Sequence, residues 1–367
     1  MARAGSAIIL ACAVLLGGGA AIAVPSSELA LRGVFLQGTD LALDAEGHRH
    51  IAATGAPNDL WYATDRSGAW IARRVLRGVQ GSYAWSQPSI TVDEAGRVHI
   101  AAVKVALWDT PDTTDGIWYV TDRGRRRGDF GPSRRVAGDM MTGPSLRVVG
   151  GVRYLAYYRC LCGPGIAAAG GATAAQARHP LFFKTDRTGR WTKELVADVG
   201  FYPSLRVGAE GRARIAYSDR SGVRFTSART RLGDFTRPVR IPGSVEAHVS
   251  LALGDRGQPH VAWAGGSHRS QVAYSRRSRE GWRSARLLGD GTDAELSIDA
   301  AGRPHVAFAR TTSVVHRWLR RDGWARQVIA RTVRTRSIDV RAFGRRANIV
   351  WAQWDRPMGV WITPPTD

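Results

Sequence analysis

The chain has 367 residues, 44% of them hydrophobic, with 42 glycines, 16 prolines and three cysteines. That length and apolar content allow a large core, which excludes a disordered chain, and so few cysteines exclude a small disulfide-built scaffold. The net charge is +21, but lysine occurs only at Lys104, Lys184 and Lys193 and the arginines are spread along the whole chain, so the excess reads as solvated edges and turns and predicts no specific nucleic-acid partner.

Residues 4 to 27 carry no charge, follow Arg3 and include Ala21-Ile22-Ala23, a small-x-small signal-peptidase pattern. The expectation is a signal peptide over 1–23 and an extracellular protein. The alternative is an uncleaved N-terminal anchor, since the run is long enough to span the bilayer, but Gly17-Gly18-Gly19 makes it a poor helix. Contact with a membrane is expected only in that case. Residues 27–367 show no linker and are read as one domain, expected to be a monomer.

Ser89 to Ala102 sets the pattern for that domain. Ile90 and Val92 alternate with polar residues, Asp93-Glu94-Ala95-Gly96 supplies a turn, and His99-Ile100-Ala101 begins the return strand. With the turn glycine as register mark, the hairpin recurs at Gly47, Gly96, Gly151, Gly211, Gly257, Gly302 and Gly344, at spacings of 42 to 60 residues. A third strand follows, as in Leu60-Trp61-Tyr62-Ala63-Thr64, and a fourth opens on an aromatic such as Trp70, Trp191 or Trp324. Seven units of four short strands predict an all-β fold, a seven-bladed β-propeller of antiparallel blades. The last unit ends at Asp367 without a fourth strand, while Leu29 to Val34 precedes the first hairpin as a surplus strand. The N-terminal strand is therefore expected to complete the C-terminal blade beside Trp361 and close the ring.

His50, His99, His260 and His305 recur at one position of the hairpin, so ring symmetry keeps them apart and they cannot share a metal. A hydrogen bond to Asp44, Asp93 or Asp299 across the turn is the expected role. Cys160 and Cys162 are a candidate local disulfide in an exported protein.

In a propeller the loops joining second to third strands share one face with the loops between blades. That face would here comprise residues 80 to 88, 105 to 116, 159 to 180 and 198 to 203. It offers Tyr83, Trp85, Trp108, Phe201 and Tyr202 beside Asp112, Asp115, Arg147 and Arg206, a mixture that suits a glycan: aromatics stack on the apolar ring face while charged groups take the hydroxyls. The competing role for Trp85 and Tyr202 is to fill gaps between blades. Asp109, Asp112 and Asp115 are weak candidate ligands for Ca²⁺; otherwise no cofactor is expected.

The turns Thr64-Asp65-Arg66-Ser67-Gly68-Ala69-Trp70 and Thr185-Asp186-Arg187-Thr188-Gly189-Arg190-Trp191 resemble the Asp-box of bacterial-neuraminidase-type repeats, with the glycine one residue late. The repeat as a whole resembles secreted bacterial sialidase-like propellers, and the resemblance implies architecture rather than catalysis. Sialidases of this kind need three arginines for the substrate carboxylate; Arg147 and Arg206 lie at equivalent points of adjacent blades, and a third arginine in register is missing. The leading expectation is a secreted, non-catalytic propeller that binds a glycan or cell-envelope component. A sialidase-like glycoside hydrolase is the first alternative and a protein-interaction scaffold the second.

Overall fold

The computed structural model describes residues 27–32, 38–56, 58–106, 115–122, 129–138, 140–160, 179–266, 270–331, 334–353 and 358–363. The segment read as a signal peptide, Trp108, Asp109, Asp112 and Cys162 all lie outside these residues.

The described residues form seven antiparallel blades and no helix. The innermost strands are Gly38–Leu43, Tyr83–Val92, Met141–Val149, Phe201–Val207, Ala247–Leu253, Thr292–Ile298 and Thr335–Phe343, in blades one to seven. Blade five departs slightly from the pattern, because both Gly281–Trp282 and Arg286–Asp290 pair with its third strand, Gln271–Ser278. All seven register glycines take positive φ, from 59° at Gly344 to 87° at Gly47, a conformation that a side chain would strain and that closes each inner hairpin.

Blade seven closes the ring. Its chain-terminal strand Gly359–Ile362 pairs with Glu28–Arg32, with Leu29 opposite Trp361 and Leu31 opposite Val360. An otherwise open sheet edge is thereby capped by the start of the same domain.

Each blade buries its faces against its two neighbours, as the seven core clusters show. Leu41, Ile51 and Ala63 of blade one pack on Val350, Val360 and Ile362 of blade seven, and Tyr62 of blade one packs with Trp85 and Ile100 of blade two. The other five clusters repeat this around the ring.

Hydrogen bonds around the channel join the same neighbours. One position of the innermost strand holds Asp40, Ser89, Ser145, Ser204, Ser250, Glu295 and Asp339 in successive blades. Ser89 Oγ accepts from Leu146 N at 3.0 Å, Ser145 Oγ from Leu205 N at 3.0 Å, Ser204 Oγ from Leu251 N at 2.9 Å and Ser250 Oγ from Leu296 N at 3.0 Å. Asp40 accepts from Ile90 N at 2.7 Å and Asp339 from Leu41 N at 2.8 Å, so the stitch runs across the closure as well. Each of these bonds is worth about 1 kcal/mol net, and leaving the buried amide unpaired would cost more.

The recurring histidines sit where the hairpin spacing predicts. His50, His99 and His305 reach Asp44, Asp93 and Asp299 through Nε2 at 3.4, 3.1 and 3.2 Å. Their Nδ1 atoms meet Tyr62 Oη at 2.7 Å, Tyr119 Oη at 2.5 Å and His316 Nε2 at 3.0 Å, while His260 meets Tyr274 Oη at 2.6 Å. These third-strand partners are a cross-strand relation that the hairpin alone does not reveal.

Candidate functional site at the channel mouth

All seven blades contribute to a cavity of about 340 Å³ where the innermost strands begin. This is the face that carries the inter-blade loops. Five of the strands enter it through a β-bulge or register shift, between Ser86 and Ser89, Thr142 and Ser145, Phe201 and Ser204, Thr292 and Glu295, and Thr335 and Ser337. The bulged residues Gln87, Gly143, Tyr202 and Asp293 have φ of 46°, 60°, 50° and 51°. For the three that are not glycine this left-handed backbone costs about 1 kcal/mol or more each, and bulges of this kind re-aim side chains at functional rims. Here they line the mouth of the cavity.

One step inward stands the ring of polar side chains that stitches the blades. Four neighbouring blades present serine there, and blades six, seven and one present Glu295, Asp339 and Asp40. The next inward-facing position holds Ala42, Thr91, Arg147, Arg206, Ala252, Ser297 and Arg341. Below the arginines lies a second cavity of about 360 Å³ with Leu43, Val92, Val207, Leu253 and Ile298 in its wall; Arg147, Arg206 and Arg341 border both chambers.

The third arginine, absent from the sequence reading, is therefore present. Arg341 stands opposite Asn348, as Arg147 stands opposite Tyr154 and Arg206 opposite Arg214. The turn glycine does not mark the position, because the hairpins differ in length and it follows Arg147 by four residues, Arg206 by five and Arg341 by three. Gly344-Arg345 makes a two-residue turn, whereas residues 208 to 212 separate the paired Val207 and Ala213.

The three arginines are not equivalent. Arg341 donates to Asp40 at 3.0 Å and forms an ion pair with Asp339. Arg147 and Arg206 donate to the neighbouring carbonyls of Leu146 and Leu205, and among the described residues neither has a carboxylate within ion-pair distance. Burial, reinforced by Arg341 and only partly offset by Asp40 and Asp339, pushes Arg147 down to about 10. Burial, Arg147 and Arg341 likewise push Arg206 well below its ordinary value. Since a guanidinium keeps its proton at neutral pH, these shifts describe positive charge held at a cost that an incoming anion would relieve.

The carboxylates respond in the opposite sense. Burial holds Asp339 well above the usual range, with Asp40 and Glu295 adding to the rise against the pull of Arg341. Burial acts against Asp40 too, but Arg341, a hydrogen bond with Asp339 and the field of Arg147 outweigh it and hold Asp40 below its ordinary value. Asp40 and Asp339 thus form a buried acid pair in which Asp339 keeps its proton the longer. Glu295 accepts from Ser250 Oγ at 2.7 Å and has His248 Nδ1 at 3.9 Å.

The residues singled out from sequence fall in three places. Arg147, Arg206 and Tyr202 line the cavity; Tyr202 is 44% exposed, with its ring 5.6 Å from that of His248. Trp85 is only 4% exposed, packs edge-on against Trp118 and donates from Nε1 to Arg77 O at 3.1 Å, so it is a gap-filler between blades one and two and cannot stack on a ligand from outside. Tyr83 lies beside it under Lys104, whose Nζ is 3.9 Å from the ring centre. Phe201 is half-buried against His179 and Tyr158, and Asp115 receives a hydrogen bond from Arg135 at its carbonyl, away from the cavity. Asp40, Asp339, Arg341 and His248 went unnoticed. The signal available for the first two was an acid at the position where four other blades carry serine.

Two further groups bear on metals and redox. Asp44, Glu46 and His48 place one ligand atom each within 4.8 Å of one another, but Asp44 already accepts from Glu46 N at 3.1 Å and His48 N at 2.8 Å as the pin of its turn. Cys160 is disulfide-bonded.

No protein-family model matches this sequence, and no curated protein is significantly similar to it. Among solved structures, a protein of unknown function from Dyadobacter fermentans aligns at 11% identity over 77% of this chain and 94% of its own, with a TM-score of 0.55. An ulvan lyase, bound to -[GlcA(1-4)Rha3S]-, aligns at 13% identity over 91% and 94%, with a TM-score of 0.57. The intramolecular trans-sialidase of Ruminococcus gnavus aligns at 11% over 91% and 95%, with a TM-score of 0.47. At such identities the likeness is one of fold alone, and the chemistry of this chain has to be read from its own channel.

Proposed function

We propose that this protein is an exported, non-catalytic propeller that binds an acidic glycan, free or within the cell envelope, in the channel-mouth cavity. One observation carries the reading: Arg147 and Arg206 face the same cavity from adjacent blades without a carboxylate partner among the described residues. A uronate or sulfate seated there would take the charge-assisted, two-pronged hydrogen bonds for which guanidinium is suited, in a partly desolvated site. Tyr202 and His248 at the rim supply ring surface, and Ser89, Ser145 and Ser204 supply hydroxyls. The ulvan lyase of the same fold is bound to an acidic saccharide, which is compatible with this reading; the argument for this chain rests on the two arginines. Export rests on the residue pattern of 1–23.

Calorimetric titration tests this: a glucuronate-bearing oligosaccharide binds, its neutral counterpart does not, and Arg206→Ala removes the difference. Equal binding of the neutral sugar would overturn the reading.

A glycoside hydrolase is the second reading, favoured by two carboxyl groups, Asp40 and Asp339, that line the same cavity. Turnover of a fluorogenic glycoside, lost in Asp339→Asn, would establish it in place of simple binding.

A further inference from the structure

Beside the channel mouth the same face carries a third cavity, of about 450 Å³, where blades five, six and seven meet. Its wall is built from Ser270 and Asp290 of blade five, Thr292, Arg310 and Thr311 of blade six, and Arg334 and Thr335 at the entry to blade seven. It shares two walls with the first cavity. Thr292 lines the outer pocket and its neighbour Asp293, turned by the bulge, lines the channel mouth; Thr335 lines the outer pocket and Ser337 the mouth. Consecutive residues of a chain are about 3.8 Å apart, so the two cavities are adjoining compartments on one face.

The lining of the outer pocket is hydrophilic, with hydroxyls, guanidiniums and one carboxylate. Thr335, one of the lining residues, has an Oγ1 with no hydrogen-bond partner among the described residues. Arg310 and Thr311 stand exposed at the rim, on the turn after the strand Pro304–Arg310.

We propose that this pocket is a second saccharide subsite, so that the preferred ligand is an acidic oligosaccharide of at least two residues, one acid group on Arg147 and Arg206 and the adjoining residue between blades five, six and seven. The inference rests on the acidic-glycan reading and extends it. The two-compartment site then selects for chain length. The second sugar binds as part of a tethered ligand, so each of its contacts adds to the affinity without a further cost of association.

Titration of the full-length protein with glucuronic acid, its disaccharide and its tetrasaccharide separates the two ideas. The disaccharide is expected to bind about ten-fold or more tightly than the monosaccharide, with little further gain for the tetrasaccharide. Arg310→Ala combined with Thr335→Val is expected to return the disaccharide to the affinity of the monosaccharide while monosaccharide binding and thermal stability stay as in the wild type. Equal affinity for all three sugars, or equal weakening of monosaccharide and disaccharide by the double variant, overturns the second subsite and leaves the first intact. Failure of every acidic sugar to bind overturns both.

Discussion

Arg341, on the last blade, reaches across the ring closure to Asp40 on the first, with Nη2 3.0 Å from Oδ1. Close by, Ser337 Oγ accepts from Thr39 N at 3.1 Å and Asp339 from Leu41 N at 2.8 Å, so the inner end of the joint is polar where the outer end is the strand pair of Leu29 and Trp361. Removing the guanidinium would leave Asp40 and Asp339 facing each other in a buried site. Arg341→Ala is expected to cost about 3 kcal/mol, as loss of one partner of a buried pair generally does. Replacing Asp40 and Asp339 by Asn in that background should recover part of the loss. Urea unfolding monitored by tryptophan fluorescence measures both, and an Arg341→Ala protein as stable as the wild type would refute the clasp.

The other two arginines predict the reverse. Arg147 and Arg206 are charges held without an ion partner among the described residues, so Arg206→Ala should leave stability unchanged or slightly raised while lowering affinity for an acidic saccharide by ~10- to 100-fold, the worth of one or two charged hydrogen bonds. Thermal melts of the free protein and titration of the same samples provide the two readings. A variant that loses stability and affinity together would identify Arg206 as a structural residue.

Trp85→Ala should behave in the opposite way to a binding-site variant. The indole is buried between blades one and two, so its loss is expected to cost about 3–5 kcal/mol. The folded fraction should keep its saccharide affinity. Loss of binding at unchanged stability would restore Trp85 to the site.

The buried histidines set the acid limit. Burial pushes His50, His99 and His305 down, against the pull of Asp44, Asp93 and Asp299, and pushes His260 down to about 4 with the help of Arg276. In the unfolded chain each imidazole titrates near 6.5. As pH falls the unfolded chain therefore takes up protons first, so this contribution is complete above about pH 6.5 and drains away below it, for His260 down to about pH 4. For His260 alone it amounts to ~3 kcal/mol. Denaturant midpoints measured between pH 4 and 7.5 should fall with acidification, and His260→Gln should flatten the curve. A midpoint independent of pH over that range would contradict the neutral-histidine account.

The amino-acid sequence by itself determined the hairpin repeat, the number of blades and the closure by the N-terminal strand. Each depends on local physics: alternation with period two, glycines at positive φ, and a surplus strand at one end matching a missing strand at the other. The asymmetry of the channel was decided only by the tertiary structure. A ring places Asp40 beside residues about three hundred positions away, and the phase of each inward-facing side chain depends on hairpin length and bulges, which periodicity does not register. Hence Arg147 and Arg206 could be picked out by counting within the repeat, whereas their charge state, the partnership of Arg341 and the burial of Trp85 followed from how seven similar blades meet around one axis.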